Sequence, residues 1–97
     1  MRLIQVTLGA GATQISPNLN GVGQSGQVYC SLLIVQNNAT HNVRVGDNTV
    51  SATKGILLFP TASTTDQIFA IRGTMLAQWY LYGTQADVID ILYETSN

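Results

Sequence analysis

Apolar and polar residues alternate with a period of two through several short windows of this chain, and Gly, Asn and Pro separate the windows. From Arg2 to Leu8, the residues Ile4, Val6 and Leu8 share one face, while Leu3, Gln5 and Thr7 share the other; this predicts a half-buried strand. A short strand is expected at Ala12–Ser16, ahead of Pro17. Val28–Gln36 is apolar on both faces, with Cys30, Leu32 and Ile34 opposed to Tyr29, Leu33 and Val35, and predicts a central strand. Asn37 to Thr40 predicts a turn. His41–Val45 alternates again, with Val43 and Val45 inward and Asn42 and Arg44 outward. Gly46-Asp47-Asn48 then turns the chain, and Thr49–Thr53 is the expected hairpin partner. Ile56–Phe59, Gln67–Arg72, Leu76–Tyr82 and Asp87–Tyr93 complete the strands.

Residues 84–94 admit two readings. Thr84-Gln85-Ala86-Asp87 has the spacing of a helix N-cap with an acid at its third position. As a strand, the segment places Ile89, Ile91 and Tyr93 on one face, and its β-branched content favours this form. Turn signals about 8–12 residues apart fit an all-β protein. The expected architecture is a single-domain antiparallel β-sandwich or jelly-roll-like barrel over residues 1–97, with residues 1–8 as an edge strand or an N-terminal arm. Gly9–Gly26, which holds the short strand at Ala12–Ser16, is rich in Gly, Ser, Asn and Gln, and Thr61–Asp66 reads as a polar loop.

Composition sharpens this picture. At 97 residues the chain suits one domain. It is 45% hydrophobic, which excludes disorder. Only 9% of residues are charged and the net charge is −1; soluble domains carry about 25%. Ser, Thr, Asn and Gln, about a third of the chain, must therefore cover much of the surface. Without a basic excess there is no footprint for a phosphate backbone, so no nucleic-acid partner is expected. The longest apolar run, Leu32 to Val35, is far short of a bilayer span. Gln5 and Thr7 interrupt the apolar start that a secretory signal would need. A soluble protein with no membrane partner is expected.

Candidate chemistry is sparse. Cys30 and His41 are the single residues of their kinds, too few for a Cys/His metal site or an intrachain disulfide. Cys30, among Leu and Ile, reads as an inert buried thiol. Gly21-Val22-Gly23-Gln24-Ser25-Gly26 matches the dinucleotide-binding pattern by letter, but a strand follows it where that motif needs a helix. Asp87 and Asp90 point to opposite faces of a strand and cannot form an acid–base pair by themselves. Asp90 and Glu94 share a face with Val88 and Leu92, a solvated or partner-facing surface. Asn38-Ala39-Thr40 is a glycosylation triplet of the kind chance supplies at this composition. No catalytic residue, metal, cofactor or small-molecule substrate is expected, and the chain does not read as an enzyme.

The aromatic stretch Gln78-Trp79-Tyr80-Leu81-Tyr82 is more informative. Alternation puts Trp79 with Ala77 and Leu81 toward the core. Gln78, Tyr80 and Tyr82 then form a mixed aromatic and amide face of the kind enriched in protein interfaces. The same aromatics could stack on sugar rings, as in a carbohydrate-binding β-sandwich. Low charge points the same way as the interface reading. Near-zero net repulsion leaves a free monomer poorly protected from association, and coverage by further copies or by a larger partner removes the exposed surface.

Asn42-Val43-Arg44-Val45-Gly46-Asp47, Val50 to Ile56 with Pro60, Gln78 to Thr84 and Asp87 to Tyr93 together resemble small virion proteins of tailed bacteriophages. Capsid decoration (cement) proteins fit best within that group. The resemblance implies a jelly-roll-like fold and a homo-oligomer, with a trimer favoured. It also implies a structural role on the outer capsid, bridging subunits of the major capsid protein, after synthesis in the host cytoplasm. A neck, tail or fibre module is the alternative. On this reading Arg2, Leu3 and Gln5 join Gln78, Tyr80 and Tyr82 as candidate interface residues, the first three through an N-terminal arm pairing with a neighbour's sheet edge.

Overall fold

The structure, a computed structural model, describes residues 2–15, 29–60 and 68–95. The Gly21–Gly26 motif and the expected loop at Thr61–Asp66 lie outside them. Eight strands are described: β1 (Arg2–Thr7), β2 (Thr13–Gln14), β3 (Tyr29–Gln36), β4 (Val43–Gly46), β5 (Ile56–Leu58), β6 (Ile68–Met75), β7 (Tyr80–Tyr82) and β8 (Val88–Thr95). They form two antiparallel sheets, ordered β1-β8-β3-β6 and β2-β7-β4-β5. The partners are nested: β1 with β8, β2 with β7, β3 with β6, β4 with β5. This is one long hairpin rolled up so that its pairs alternate between two sheets, the double Greek key of a jelly roll.

Side-chain alternation supplies the core. Ile4 and Val6 of β1 pair with Ile91 and Ile89 of β8, and Leu33 and Val35 of β3 pair with Tyr93 and Ile91. All of these side chains turn inward. They meet Ile15, Val43, Val45, Leu58 and Leu81 from the second sheet in one continuous apolar cluster. Burying each such side chain contributes about 1.5–3 kcal/mol, and no charged group is needed inside.

Three sequence expectations are corrected. First, β3 does not alternate throughout. Cys30 and Leu33 are both buried, although they are three residues apart. The register with β8 shifts between Cys30 and Leu32, a bulge that turns one strand face over. Gly73 lies opposite on β6 with φ +67, and the Ser31 hydroxyl donates to the Glu94 carbonyl at 3.1 Å. Cys30 thus joins Leu33 and Val35 inside, and Leu32 and Ile34 move to the outer face.

Second, β4 pairs with β5 and not with Thr49–Thr53. The Asp47 side chain accepts the Thr49 N–H at 2.9 Å and so closes a turn. Val50 is buried beneath it, and Ser51 and Lys54 make an isolated bridge. Arg44 holds the loop down by donating to the Ala52 and Gly55 carbonyls at 3.1 and 2.9 Å.

Third, Leu76–Tyr82 is not one strand. Leu76–Gln78 is a 3-10 turn that carries the chain from the first sheet to the second, and β7 starts only at Tyr80. The change of phase buries Leu76 and Leu81 but leaves Trp79 half-buried at the rim, packed against the core and not inside it. The ambiguous segment is a strand: Thr84 to Asp87 forms a turn, with Asp87 N–H donating to the Thr84 carbonyl at 3.1 Å, and β8 follows. Strand β1 is an edge strand paired with β8 along all six of its residues.

Asn37, fully buried at the end of β3, joins the two layers. Its Nδ2 donates to the His41 carbonyl at 2.9 Å and to the Leu58 carbonyl of the second sheet at 3.0 Å, and its Oδ1 accepts the Ala39 N–H at 3.0 Å. Asn37→Ala removes three hydrogen bonds, two of them buried, so a loss of about 2–3 kcal/mol is expected in urea unfolding. Two positions with positive φ should respond in opposite directions. Gly55 has φ +133, and a Cβ there would lie 2.7 Å from Val50 Cγ2. Gly55→Ala is therefore expected to cost about 1–3 kcal/mol. Ala86 sits at φ 78, and Ala86→Gly is expected to gain about 0.5–1 kcal/mol in the same assay.

Candidate interaction surfaces

The register of the first sheet dictates what its outer face presents. Leu3 lies beside Leu92, Leu92 beside Ile34, and Ile34 beside Ala70. An apolar row thus crosses all four strands. Leu3 is 65% exposed, Ala70 is exposed, and Leu92 and Ile34 are half-buried. On one side runs the polar row Gln5, Asp90, Gln36, ending at the exposed Ile68. Asp90 is held there by two amides: Gln5 Nε2 donates to Oδ1 at 3.0 Å and Asn38 Nδ2 to Oδ2 at 3.1 Å. On the other side Leu32 lies between Glu94 and Arg72. Single apolar residues on a surface are ordinary, but a contiguous row bordered by satisfied polar groups has the character of a contact surface.

The second sheet carries a different surface. Tyr80 and Tyr82 on β7 stand beside Gly46 and Arg44 of β4, and both tyrosines are half-buried. At the end of this sheet the 3-10 turn brings Gln78 and Trp79 up to the Asp47 turn. A hollow of about 490 Å³ is lined by Asp47, Asn48, Gln78, Trp79 and Tyr80. A smaller one, about 290 Å³, adjoins it past Asp47 and Trp79 toward Val50 and Lys54. The indole is fixed from behind: its Nε1–H donates to Thr74 Oγ1 at 2.7 Å, and the Phe69 ring packs at 5.1 Å between centroids, tilted 53°. The Thr49 side-chain and backbone hydrogen bonds, with Lys54 nearby, hold the Asp47 carboxyl below its ordinary value of 3.8.

The six residues singled out by sequence therefore belong to two separate surfaces. Leu3 and Gln5 lie on the outer face of the first sheet, and Arg2, one residue out of phase, is exposed beside Tyr93 at the start of β1. Tyr80 and Tyr82 belong to the second sheet, on the far side of the core, and Gln78 lies in the 3-10 turn that leads into it. Alternation within one strand missed Ile34, Ala70 and Leu92 as parts of one surface, because only the register of four strands assembles them. It also missed Asp47 and Asn48, which reach Trp79 through the pairing of β4 with β7.

Other chemistry-bearing groups are accounted for locally. Burial pushes the Cys30 thiol above its ordinary pKa, away from nucleophilic thiolate. His41 Nδ1 lies 2.8 Å from Asp87 Oδ2, tying the β3–β4 corner to the turn before β8, with His41 54% and Asp87 18% exposed. Among the described residues, no three His, Cys, Asp or Glu side chains are grouped to hold a metal ion. No described helix is long and apolar enough to cross a membrane. Comparison with protein-family models, curated proteins and solved structures found no match.

Because the Asp47 pKa is lowered in the folded protein, the carboxylate supports its turn above pH 3.8, and that support is lost as the pH falls through the lowered value. Thr49→Val removes the hydroxyl donor. The Asp47 carboxyl is then expected to titrate closer to 3.8 when followed by carbon NMR of the side chain.

Proposed function

We propose that this chain is a structural subunit that works by protein–protein contact, as a homo-oligomer on the outer surface of a tailed-phage capsid, where it bridges subunits of the major capsid protein. The observation that carries the reading is the apolar row Leu3–Leu92–Ile34–Ala70 across the outer face of the first sheet. A protein with 9% charged residues has little electrostatic protection for such a face in free solution, and a neighbouring subunit would cover it.

Two further features support the capsid setting. Jelly rolls recur in viral capsid proteins, an argument from fold analogy. The stretches Asn42 to Asp47, Val50 to Ile56 with Pro60, Gln78 to Thr84 and Asp87 to Tyr93 resemble small virion proteins, decoration proteins best of all. The mechanism is multivalency: an oligomer presents several copies of a modest contact at once, so weak single contacts add up to tight attachment. Neck, tail or fibre placement is the alternative within the same class.

Light scattering behind size exclusion tests the assembly step. The expected mass is that of a trimer of the 10.4 kDa chain. Leu92→Lys is expected to give a monomer with unchanged circular dichroism, since the substitution lies on the outer face. A wild-type chain that stays monomeric at high concentration would sink the proposal. Mass spectrometry of purified particles, encoded by the genome that carries this sequence, tests the virion step: the chain should be found in DNA-filled heads. Its presence in isolated tails alone would transfer it to the alternative.

A further inference from the structure

We propose that the hollow between the Asp47–Asn48 turn and Trp79 is a binding site for an uncharged saccharide. This inference stands apart from the assembly reading, since no residue lining the hollow belongs to the first sheet.

The argument begins with Trp79. Its indole has its one donor committed to Thr74 and one side packed by Phe69, so it is immobilised before any ligand arrives. It is half-buried, and it borders both hollows. A fixed aromatic ring at the wall of an open hollow suits the C–H face of a pyranose, because the ring face carries the negative part of its quadrupole and the sugar C–H groups are weakly positive. Pre-fixing also removes the ordering cost that a mobile side chain would incur on binding.

The surrounding polar groups match hydroxyls. Asp47, Asn48 and Gln78 each end in a planar group with two polar atoms, able to bridge adjacent sugar hydroxyls, and Tyr80 brings a phenol. Asp47 is oriented by the two Thr49 hydrogen bonds, which both fall on Oδ1. The Asn48 and Gln78 side chains are exposed and take part in no hydrogen bond among the described residues. The larger hollow, about 490 Å³, lies within the usual small-ligand range of about 300–1,000 Å³.

Charge selects the ligand class. The two hollows together hold one carboxylate, Asp47, and one ammonium, Lys54, close enough for Lys54 to lower the Asp47 pKa. The local balance is neutral. A phosphate, a sulfate or an acidic sugar would meet no excess of positive charge, whereas a neutral polyol meets donors and acceptors in both roles.

Trp79 is the sole tryptophan of the chain, so its emission reports on this site directly. The test titrates the full chain with methyl glucosides, methyl galactosides, N-acetylglucosamine and chitin oligosaccharides, with glucuronic acid as the charged comparison. At least one neutral sugar is expected to change the emission saturably, with glucuronic acid at least about tenfold weaker. Asn48→Ala and Gln78→Ala are each expected to weaken binding about tenfold, and Gln85→Ala, in the exposed turn before β8, to leave it unchanged. The proposal is overturned if no neutral sugar saturates below about 20 mM, or if binding is indifferent to both Asn48→Ala and Gln78→Ala. Tighter binding of glucuronic acid than of any neutral sugar would also overturn it.

Discussion

Nested pairing imposes one constraint on the whole molecule: every connection except the β4–β5 loop must carry the chain from one sheet to the other. Each crossing leaves the ladders and strands backbone donors and acceptors at the edge of an apolar core, where an unmade hydrogen bond is costly. The described corners answer with specific partners. Thr13 Oγ1 accepts the Gly9 N–H at 2.9 Å between β1 and β2. Asn37 serves the β3–β4 corner with three bonds, one of them to the opposite layer. The 3-10 turn serves the passage from β6 to β7, where the Trp79 N–H returns to the Leu76 carbonyl at 3.3 Å. Before β8, the Ala86 N–H donates to the Leu8 carbonyl at 2.9 Å and the Leu8 N–H to the Asp87 carbonyl at 2.8 Å. The layers can pack as an uncharged interior because their polar burden is discharged at these corners.

How far the sequence discloses this depends on the range of the interaction involved. Strand β1 is legible because a half-buried strand on one side of a sandwich writes its environment as strict alternation, here at Ile4 and Val6. Strand β8 carries the same alternation at Ile89, Ile91 and Tyr93, but the cap-like spacing of Thr84 to Asp87 also fits a helix, and it is the turn formed there that decides for the strand. The bulge at Ser31 is not legible, since it arises from a register shift against β8 and a left-handed Gly73 on a strand far away in sequence. The same holds for Leu76–Gln78, whose alternation suits a strand but whose position between sheets demands a turn. Of the surfaces, Leu3 and Gln5 could be read from their own strand, as could Tyr80 and Tyr82. The rest of each surface depends on which strands become neighbours. Asn37 looked like an ordinary turn residue; nothing local distinguishes an amide that will be buried from one that will be solvated.

The two surfaces differ in kind as well as in place. The first is apolar along one row and bordered by amides already hydrogen-bonded to Asp90. Such a face offers area and shape, and it suits a protein neighbour. The second is concave, built around a braced indole, and ringed by polar groups. It offers direction and chemistry to something small. A sandwich has two outer faces, and here its inward alternation leaves each free to diverge without disturbing the shared core.

Strand β6 forms one edge of the first sheet and is eight residues long, with exposed Ile68 near its start. A straight edge of that length on a nearly uncharged protein would invite unlimited strand addition and fibre growth. The left-handed residue at Gly73 interrupts the edge, so an incoming strand finds a broken ladder and no continuous template. The kink that returns Cys30 to the core thus also acts at the perimeter, where it breaks the template that open-ended strand addition would need.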